Sequence, residues 1–191
     1  MSLPQATRMV VDLENRAGYI PITTCSPSNF ALVQSFGAAK AFDYHSPSCG
    51  VSIRAYTKGK LQHALDCITD SQSIRVCYAA LGTKGGKYTA LEPPAKQAKD
   101  RKDLQSDWVM ALTIFGKAVD LKGPFGRDAA PEDMDWAKSW YRKAEELVAG
   151  GTIRPHPAKE MPGGWPEVLE GIDLLRNGKV RGEKLVYRVW A

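Results

Sequence analysis

The residues in this sequence that are best suited to chemistry form a polar turn of Ser26, Pro27, Ser28 and Asn29. Serine hydroxyls and an asparagine amide donate hydrogen bonds to anions, and the first turn of a helix favours a negative charge. No carboxylate is present in the turn to repel a phosphate. The turn is therefore suited to the 2′-phosphate of NADPH, where an NADH site would carry Asp or Glu for the ribose hydroxyls.

An ordinary helix N-cap is the alternative interpretation of this turn, because Ser and Asn are common capping residues. On the residue types alone the N-cap is favoured, since such caps are routine. The surrounding sequence predicts a strand at Tyr19–Thr24, a helix that stops at Gly37 and a second strand at Ala41–Tyr44. A strand, helix and strand in this order predict a right-handed βαβ unit.

Strand and helix candidates continue to alternate after this unit. Further strands are predicted at Leu61–Ile68 and Lys87–Leu91, and helices within Ser46–Thr57 and at Gln72–Leu81. The first residues, Met1–Ala17, are predicted to contain a helix after a proline. This alternation with short links predicts a parallel sheet with helices on both faces.

The rest of the chain is predicted to have fewer strands. Glu92–Asp107 is polar and basic, which favours an exposed loop or short helix, and Val119–Pro131 is predicted to be a linker. Apolar spacing predicts a long helix at Pro131–Val148, whose aromatic stripe should serve packing. The remaining predictions are an extended segment, a helix and a closing strand, at Ile153–Met161, Trp165–Leu175 and Leu185–Val189.

The composition is that of a globular protein, with 43% apolar and 25% charged residues in 191. A net charge of +5 is a mild excess that would attract an anionic ligand. The Lys and Arg residues are scattered, which disfavours a nucleic-acid partner. No signal peptide and no apolar run of about 18 residues are visible, so no membrane partner and a cytoplasmic location are expected.

Four cysteines occur without C-x-x-C spacing or paired histidines, at Cys25, Cys49, Cys67 and Cys77. This spacing disfavours a structural zinc site, and no metal site is predicted.

Five short motifs occur in order along the chain. They are T-C-S-P-x-N-F at Thr24–Phe30, F-D-Y at Phe42–Tyr44, A-L-D-C-I-T at Ala64–Thr69, T-I-F-G at Thr113–Gly116 and G-E-K-L-V at Gly182–Val186. With these motifs the chain resembles the C-terminal half of a zinc-independent medium-chain dehydrogenase/reductase. More narrowly, it resembles the fungal trans-acting enoyl reductases that partner highly reducing polyketide synthases.

The resemblance implies a cofactor site for NADPH and a site for an α,β-unsaturated acyl thioester. It implies that Ser26–Asn29 hold the 2′-phosphate and that Tyr44 lies beside the adenine and ribose. It also implies that Leu81 and Gly82 occupy a strand-to-loop position over the nicotinamide half, and that Leu185 and Val186 lie on a strand near the cofactor. The implied substrate-cleft residues are Thr113, Ile114, Phe115 and Gly116. No catalytic residue is implied, because the cofactor supplies the chemistry and the protein positions the reactants.

Three features of the family are not recognisable in this sequence. The family has a GroES-like catalytic domain, a first Rossmann strand and a small-residue pyrophosphate loop, and none of the three is recognisable here. The expected fold is therefore an α/β, Rossmann-like parallel sheet without its first strand and glycine loop, in residues 1–118. Residues 119–191 are expected to form a linker and the C-terminal part of the catalytic domain. The hypothesis is that this chain alone has weak or no reductase activity.

Two alternatives to a trans-acting enoyl reductase remain open. An inactive remnant, or a fragment that only binds a partner, would lack affinity for NADPH. A general quinone or alkenal reductase of the same superfamily would reduce small free substrates without an acyl carrier.

Overall fold

The computed structural model describes residues 10–11, 13–94, 101–153, 157–180 and 183–189. The described strands are β1 (Ile22–Cys25), β2 (Lys40–Asp43), β3 (His63–Asp66), β4 (Gly86–Ala90), β5 (Leu104–Trp108), β6 (Ala158–Met161) and β7 (Lys184–Tyr187). The described helices are α1 (Phe30–Ser35), α2 (Cys49–Tyr56), α3 (Ser71–Ala80), α4 (Pro131–Ala149) and α5 (Trp165–Arg176). Residues 10, 11 and 13–16 are also helical, and short 3₁₀ helices lie at Pro27–Asn29, Ala111–Phe115 and Gly123–Phe125.

The strands form three separate hydrogen-bonded groups. β1 pairs with β2, β3–β4–β5 form a three-stranded sheet, and β6 pairs with β7. The β3–β4, β4–β5 and β6–β7 pairings are parallel. The predicted α/β class with parallel strands is therefore confirmed.

The pairing is interrupted where the sequence predicts a missing strand. In a dinucleotide-binding sheet of order 3-2-1-4-5-6, the first strand lies between the second and the fourth. Removing it would leave a two-stranded and a three-stranded sheet. This is the grouping found among the described strands from β1 to β5.

The segment Gly18–Tyr44 has the predicted order of strand, turn, helix and strand. β1 ends at Cys25, and α1 begins at Phe30 after the 3₁₀ turn. Gly37 has φ +101°, a left-handed conformation that glycine adopts without strain and that stops the helix where the sequence predicts.

Strand β5 corrects the sequence prediction for Glu92–Asp107. Its residues Leu104–Trp108 pair along their whole length with Gly86–Ala90 of β4. The strand was hard to predict because it lies at the edge of its sheet, where its side chains are mostly exposed and polar. Residues 95–100 of the same predicted loop lie outside the described residues.

Helix α4 has the predicted bounds but packs less closely than its apolar stripe predicts. Ala137 is buried, whereas Tyr141 is 60% exposed. Trp136 and Trp140 stack on each other, with ring centroids 6.0 Å apart. The aromatic residues of α4 therefore contact one another more than they fill a core.

The chain divides into two compact units. Their division differs from the domain boundary that the sequence predicts at residue 118, and that domain assignment stays a prediction. The first unit consists of Met1–Ala41 and Val148–Ala191, and the second of Phe42–Leu147. The core of the first unit contains Val11, Cys25, Val33, Phe36, Ala38 and Ala41. The core of the second contains Ile74, Tyr78, Leu81, Tyr88 and Ala90. None of the described helices is long and apolar enough to cross a membrane.

Candidate functional site

The polar turn Ser26–Asn29 of the first unit directly follows β1. Ser26 is extended, with φ −63° and ψ 146°, and precedes the 3₁₀ turn Pro27–Asn29. Neither Ser26 nor Asn29 makes the side-chain hydrogen bond of a helix cap. The N-cap interpretation therefore does not account for these two side chains, although both hold N-cap positions.

Two backbone N–H groups of this turn are already hydrogen-bonded within it. The N–H of Asn29 donates to the Ser26 carbonyl at 2.9 Å, and the N–H of Phe30 donates to the Pro27 carbonyl. Helix α1 then spans only six residues, so its dipole adds little. The exposed hydroxyl of Ser28 and the partly exposed Ser26 and Asn29 side chains supply the donors, with no acidic residue in the turn.

Tyr44 follows β2 in the second unit, and one of its faces is occupied. Its ring lies against the His45 ring, with centroids 4.0 Å apart. Nδ1 of His45 lies 2.9 Å from Oδ1 of Asp43, and the His45 N–H donates to the same oxygen. These hydrogen bonds hold the pKa of Asp43 below its usual value. The Tyr44 carbonyl accepts a hydrogen bond from Gln72 at 3.1 Å, which fixes the backbone after β2.

Leu81 and Gly82 follow a helix rather than a strand, and their implied contact with the nicotinamide half of the cofactor stays a prediction. Both residues follow the end of α3, and the Gly82 N–H donates to the Leu61 carbonyl, close to the start of β3. They therefore lie where the parallel strands begin, whereas cofactors of such sheets bind where the strands end. Leu81 is completely buried, and the Gly82 carbonyl accepts a hydrogen bond from Arg101 at 2.6 Å. The Leu81 side chain belongs to the core of the second unit, and both backbone groups of Gly82 are hydrogen-bonded.

A buried carboxylate that the sequence analysis does not assign lies at the end of β3. Asp66 is 3% exposed and accepts hydrogen bonds from the hydroxyls of Tyr88 and Ser73, at 2.9 and 2.8 Å. The N–H groups of Ile68 and Thr69 donate to its other oxygen, at 3.0 and 2.9 Å. Asp66 thus fixes the loop after β3, at the edge where cofactors of such sheets bind.

The conformation of this loop requires such support. Thr69 has φ +60°, a left-handed conformation that is unfavourable for a β-branched residue. Asp70 then caps α3 by accepting hydrogen bonds from the N–H groups of Gln72 and Ser73. The sequence signal for this hydrogen-bond network was the Asp of A-L-D-C-I-T, which stands at the end of an apolar strand. A charge that is buried at such a position must be fully hydrogen-bonded.

The predicted substrate segment forms a 3₁₀ helix at Ala111–Phe115 that ends at Gly116. Phe115 is 61% exposed and lines an open cavity of about 490 Å³. The other lining residues belong to the same stretch of chain and are Leu112, Lys117, Ala118, Val119, Asp120 and Leu121. Thr113 instead donates its hydroxyl to the Met110 carbonyl, at 3.1 Å. Of Thr113, Ile114, Phe115 and Gly116, Phe115 is the one that lines this cavity.

Gly116 has a conformational role in this segment. Its φ is +69°, and a Cβ at this position would lie 3.0 Å from the Cβ of Met134. Glycine is therefore required both by the left-handed backbone and by the approach of α4.

Leu185 and Val186 are neighbours on β7 in the first unit. They pair with Lys159 and Glu160 of β6. Consecutive strand residues point to opposite faces, so these two side chains cannot face one ligand together. Val186 is 39% exposed, and Leu185 is the more covered of the two.

No group of three or more His, Cys, Asp and Glu side chains within the described ranges is arranged to hold a metal ion. The predicted site residues are divided between the compact units. Ser26–Asn29, Leu185 and Val186 belong to the first unit, and Tyr44, Leu81, Gly82 and Thr113–Gly116 belong to the second.

Comparison with curated sequences finds trans-enoyl reductases among the relatives of this chain. The trans-enoyl reductase apdC of Emericella nidulans is 47% identical over 173 residues, which cover 91% of this chain and 52% of the relative. The trans-enoyl reductase BOA5 of Botryotinia fuckeliana is 47% identical over 182 residues, which cover 95% of this chain and 48% of the relative. The chain therefore spans about half the length of the curated relatives it matches. No protein-family model matches the chain.

Solved structures agree on the fold. The JamJ enoyl reductase has a TM-score of 0.69 at 17% identity, over 93% of this chain and 50% of that protein. An alcohol dehydrogenase-like protein from Rhizobium etli has a TM-score of 0.71 at 19% identity, over 96% of this chain and 51% of that protein. These structures support a Rossmann-type fold of the dehydrogenase/reductase kind. By sequence, the chain is similar to the C-terminal half of fungal trans-enoyl reductases, and its fold is similar to that of these solved structures over about half of their length.

Proposed function

We propose that this chain is the C-terminal half of an NADPH-dependent trans-acting enoyl reductase that reduces α,β-unsaturated acyl thioesters during polyketide biosynthesis. The observation that carries the proposal is 47% identity to a trans-enoyl reductase across 91% of the chain. The proposed partner is a highly reducing polyketide synthase, which would present the acyl thioester, and the proposed location is the cytoplasm.

The turn after β1 supports the choice of NADPH over NADH. Ser26, Ser28 and Asn29 present hydrogen-bond donors without an acidic neighbour in the turn, and the caps leave the Ser26 and Asn29 side chains unused. A 2′-phosphate carries negative charge and several acceptor oxygens, so it matches this donor set. A ribose 2′-hydroxyl would gain less there, because no carboxylate is present to accept a hydrogen bond from it.

The remaining residues have positioning roles in this proposal. NADPH, when bound, supplies the hydride that the reaction adds to the β-carbon of the enoyl group. Asp66 holds the loop after β3 in place, and the exposed ring of Phe115 offers apolar surface to an acyl chain. For Tyr44 we propose contact with the adenine end through the face not covered by His45. Of Leu185 and Val186, at most one side chain contacts the cofactor, because they face opposite sides of β7.

Fluorescence titration of the purified chain with NADPH and NADH tests the cofactor. We expect NADPH to bind at least about tenfold more tightly, a difference of roughly 1.4 kcal/mol. Ser26→Asp should abolish this preference, because its carboxylate repels the 2′-phosphate. Ser52→Asp, at an exposed serine of α2, is the matched control and should bind like the parent chain. Equal affinity for both cofactors in the parent chain would contradict the NADPH assignment.

A substrate comparison separates the proposal from its alternatives. The chain is assayed with an α,β-unsaturated acyl thioester, a free alkenal and a quinone, in the presence of NADPH. Preference for the thioester supports the proposed reductase, and preference for the free substrates supports a general quinone or alkenal reductase. An absence of both NADPH binding and activity would favour an inactive or partner-binding fragment.

A further inference from the structure

The segments that lead into the three-stranded sheet of the second unit are rich in lysine. The structure describes them at residues 57–62 before β3, 81–87 at the start of β4 and 101–104 at the start of β5. We call the exposed lysines of these segments the lysine edge, which consists of Lys58, Lys60, Lys84, Lys87 and Lys102. None of the ion pairs among the described residues involves any of these lysines. Their charges are therefore available to a ligand.

Backbone contacts hold the three segments side by side. The Gly82 N–H donates to the Leu61 carbonyl at 3.0 Å, which joins the first segment to the second. A Cβ at Gly85 would lie 2.8 Å from the carbonyl oxygen of Asp103, so the second segment lies directly against the third. Since β3, β4 and β5 are parallel, their first residues lie at one edge of the sheet. Lysines that are scattered along the sequence are thereby gathered at this edge.

Acidic side chains do not neutralise the lysine edge. Asp103 is the one acidic residue of the three segments, and its carboxylate accepts a hydrogen bond from Nε of Arg101 at 2.8 Å. The opposite edge of the sheet has no Lys or Arg in the segments that follow the strands, residues 67–70, 91–94 and 109–116. Cofactors of such sheets bind at that opposite edge, where the strands end. The lysine edge is therefore a separate surface with a different charge.

The residue types at the lysine edge favour a protein as its ligand. Surfaces that bind nucleic acids combine basic residues with stacking aromatic side chains, and the three segments contain no aromatic residue. Their one arginine, Arg101, is already engaged, since it also donates to the Tyr78 and Gly82 carbonyls at 3.0 and 2.6 Å. Binding to a membrane surface needs exposed apolar side chains, and the leucines of these segments are buried or partly buried.

We infer that the lysine edge binds an acidic surface of a second protein. Complementary charges accelerate the encounter of two proteins and orient them. Lysine suits this role, because its ammonium group is a mobile point charge that meets carboxylates without a fixed geometry. The choice of a protein rests in part on the proposed function, in which a separate synthase carries the substrate. Binding at this edge would leave the opposite edge of the sheet open for the reaction.

Binding of a fluorescent oligoglutamate peptide tests this inference without cofactor or substrate, so a failure of the proposed reaction would not change its outcome. Anisotropy titrations of the whole chain are carried out at low salt. Lys60→Glu combined with Lys84→Glu alters two of the three segments and should weaken binding at least about tenfold, because attraction becomes repulsion. The matched control is Lys138→Glu combined with Lys143→Glu, which makes the same change in net charge at exposed lysines of α4 that already have acidic partners. The control should bind within about twofold of the parent chain.

Equal losses in the two double variants would overturn the inference, because net charge alone would then explain the binding. Failure of the parent chain to bind the peptide would also overturn it. Duplex DNA and vesicles that contain phosphatidylserine are titrated in parallel. If either binds more tightly per negative charge than the peptide, and this binding requires Lys60 and Lys84, the choice of a protein is wrong.

A second measurement uses the unmodified chain, so it does not depend on the folding of any variant. A water-soluble carbodiimide joins the carboxylates of the bound peptide to nearby lysine amines as amides, and mass spectrometry of the digested product locates the joined lysines. We expect most of the cross-links at the lysine edge, and we expect fewer of them at high salt, since exposed charges are then screened. Cross-links spread evenly over the lysines of the chain would contradict a defined docking surface.

Discussion

Helices α3 and α5 both contact parallel strands, but α3 has a buried apolar face whereas the apolar side chains of α5 are mostly exposed. In α3, Ile74, Tyr78 and Ala80 are buried, and the adjacent Leu81 has no exposed surface. In α5, Gly171 is the buried residue. Both helices have apolar residues at helical spacing, so periodicity alone does not determine burial. The difference lies in the number of neighbours that the described structure provides for each helix.

Hydrogen bonds from neighbouring residues fix both ends of α3. At the helix start, Asp70 forms a reciprocal cap with Ser73, and Asp66 accepts a hydrogen bond from the Ser73 hydroxyl. At the helix end, Arg101 donates to the carbonyl of Tyr78 at 3.0 Å. α3 therefore has polar partners for its ends and an apolar core under its side. A cap at the start of α5 is supplied by Glu167, whose Oε2 accepts from the Gly164 N–H at 2.8 Å.

The largest difference should appear when the same substitution is made in both regions. Leu81→Ala removes a completely buried side chain and should lower the free energy of unfolding by about 2–5 kcal/mol. Leu169→Ala, at a residue that is 67% exposed, should change it by no more than about 0.5 kcal/mol. Urea unfolding of the two variants and the parent chain measures both values. Equal losses would show that α5 is buried in solution and that the contrast between the helices is wrong.

The Asp66 network should give the next largest effect. Asp66→Ala removes the acceptor of the Tyr88 hydroxyl and of two backbone N–H groups, so buried donors lose their partners. We expect a loss of about 2–4 kcal/mol in the free energy of unfolding, since each unsatisfied buried donor costs about 1–3 kcal/mol.

Tyr88→Phe supplies the control for Asp66→Ala, since it removes one hydroxyl and keeps the ring. We expect it to cost about 1 kcal/mol, the typical contribution of one hydrogen bond. If the two variants have the same stability, the loop N–H groups do not depend on Asp66.

Alkaline pH should lower the folding stability through the buried Tyr88, which tests the burial of the core beside α3 in a different way. Burial and the nearby Asp66 raise the pKa of Tyr88 well above its ordinary value of about 10. The neutral phenol is favoured in the folded state, so its stabilising contribution is fully present below about pH 10. It is lost as the pH rises through the folded pKa, by up to about 1.4 kcal/mol per pH unit.

Cys77 contributes in the same direction, because burial raises the pKa of its thiol. Stability measured between about pH 9 and 11 should therefore fall with a slope that both Tyr88→Phe and Cys77→Ala reduce. Substituting Tyr56, an exposed tyrosine, with Phe is the control and should leave the slope unchanged. An unchanged slope in Tyr88→Phe would show that this hydroxyl is accessible to solvent.

The smallest effect is expected at the exposed apolar row of α5, which consists of Trp165, Leu169, Ile172 and Leu175. Trp165→Glu replaces a side chain that is 69% exposed and should shift the free energy of unfolding by no more than about 0.5 kcal/mol. It should increase the solubility of the chain, because it interrupts an exposed apolar row. Sedimentation velocity and thermal unfolding measure the two effects. A loss above about 2 kcal/mol would place Trp165 in a buried contact.

The sequence by itself determined the order of most elements. Short apolar segments, glycine stops and helical spacing were sufficient for β1 to β4, α2 and α3, because these signals act within a few residues. The polar turn Ser26–Asn29 was also located by its residue types, together with the absence of a carboxylate. Strand β5 was missed, because an edge strand with an exposed face carries no apolar pattern.

Only the tertiary structure decided which residues share a site. Asp66 meets Tyr88 across 22 positions of sequence, and no local pattern contains that contact. Leu81 and Gly82 proved to lie where the strands begin, because α3 runs back along β3 before the chain enters β4. Whether an apolar helix face is a core or a surface depends on neighbours that are distant in the chain. That dependence separates the buried face of α3 from the exposed apolar row of α5.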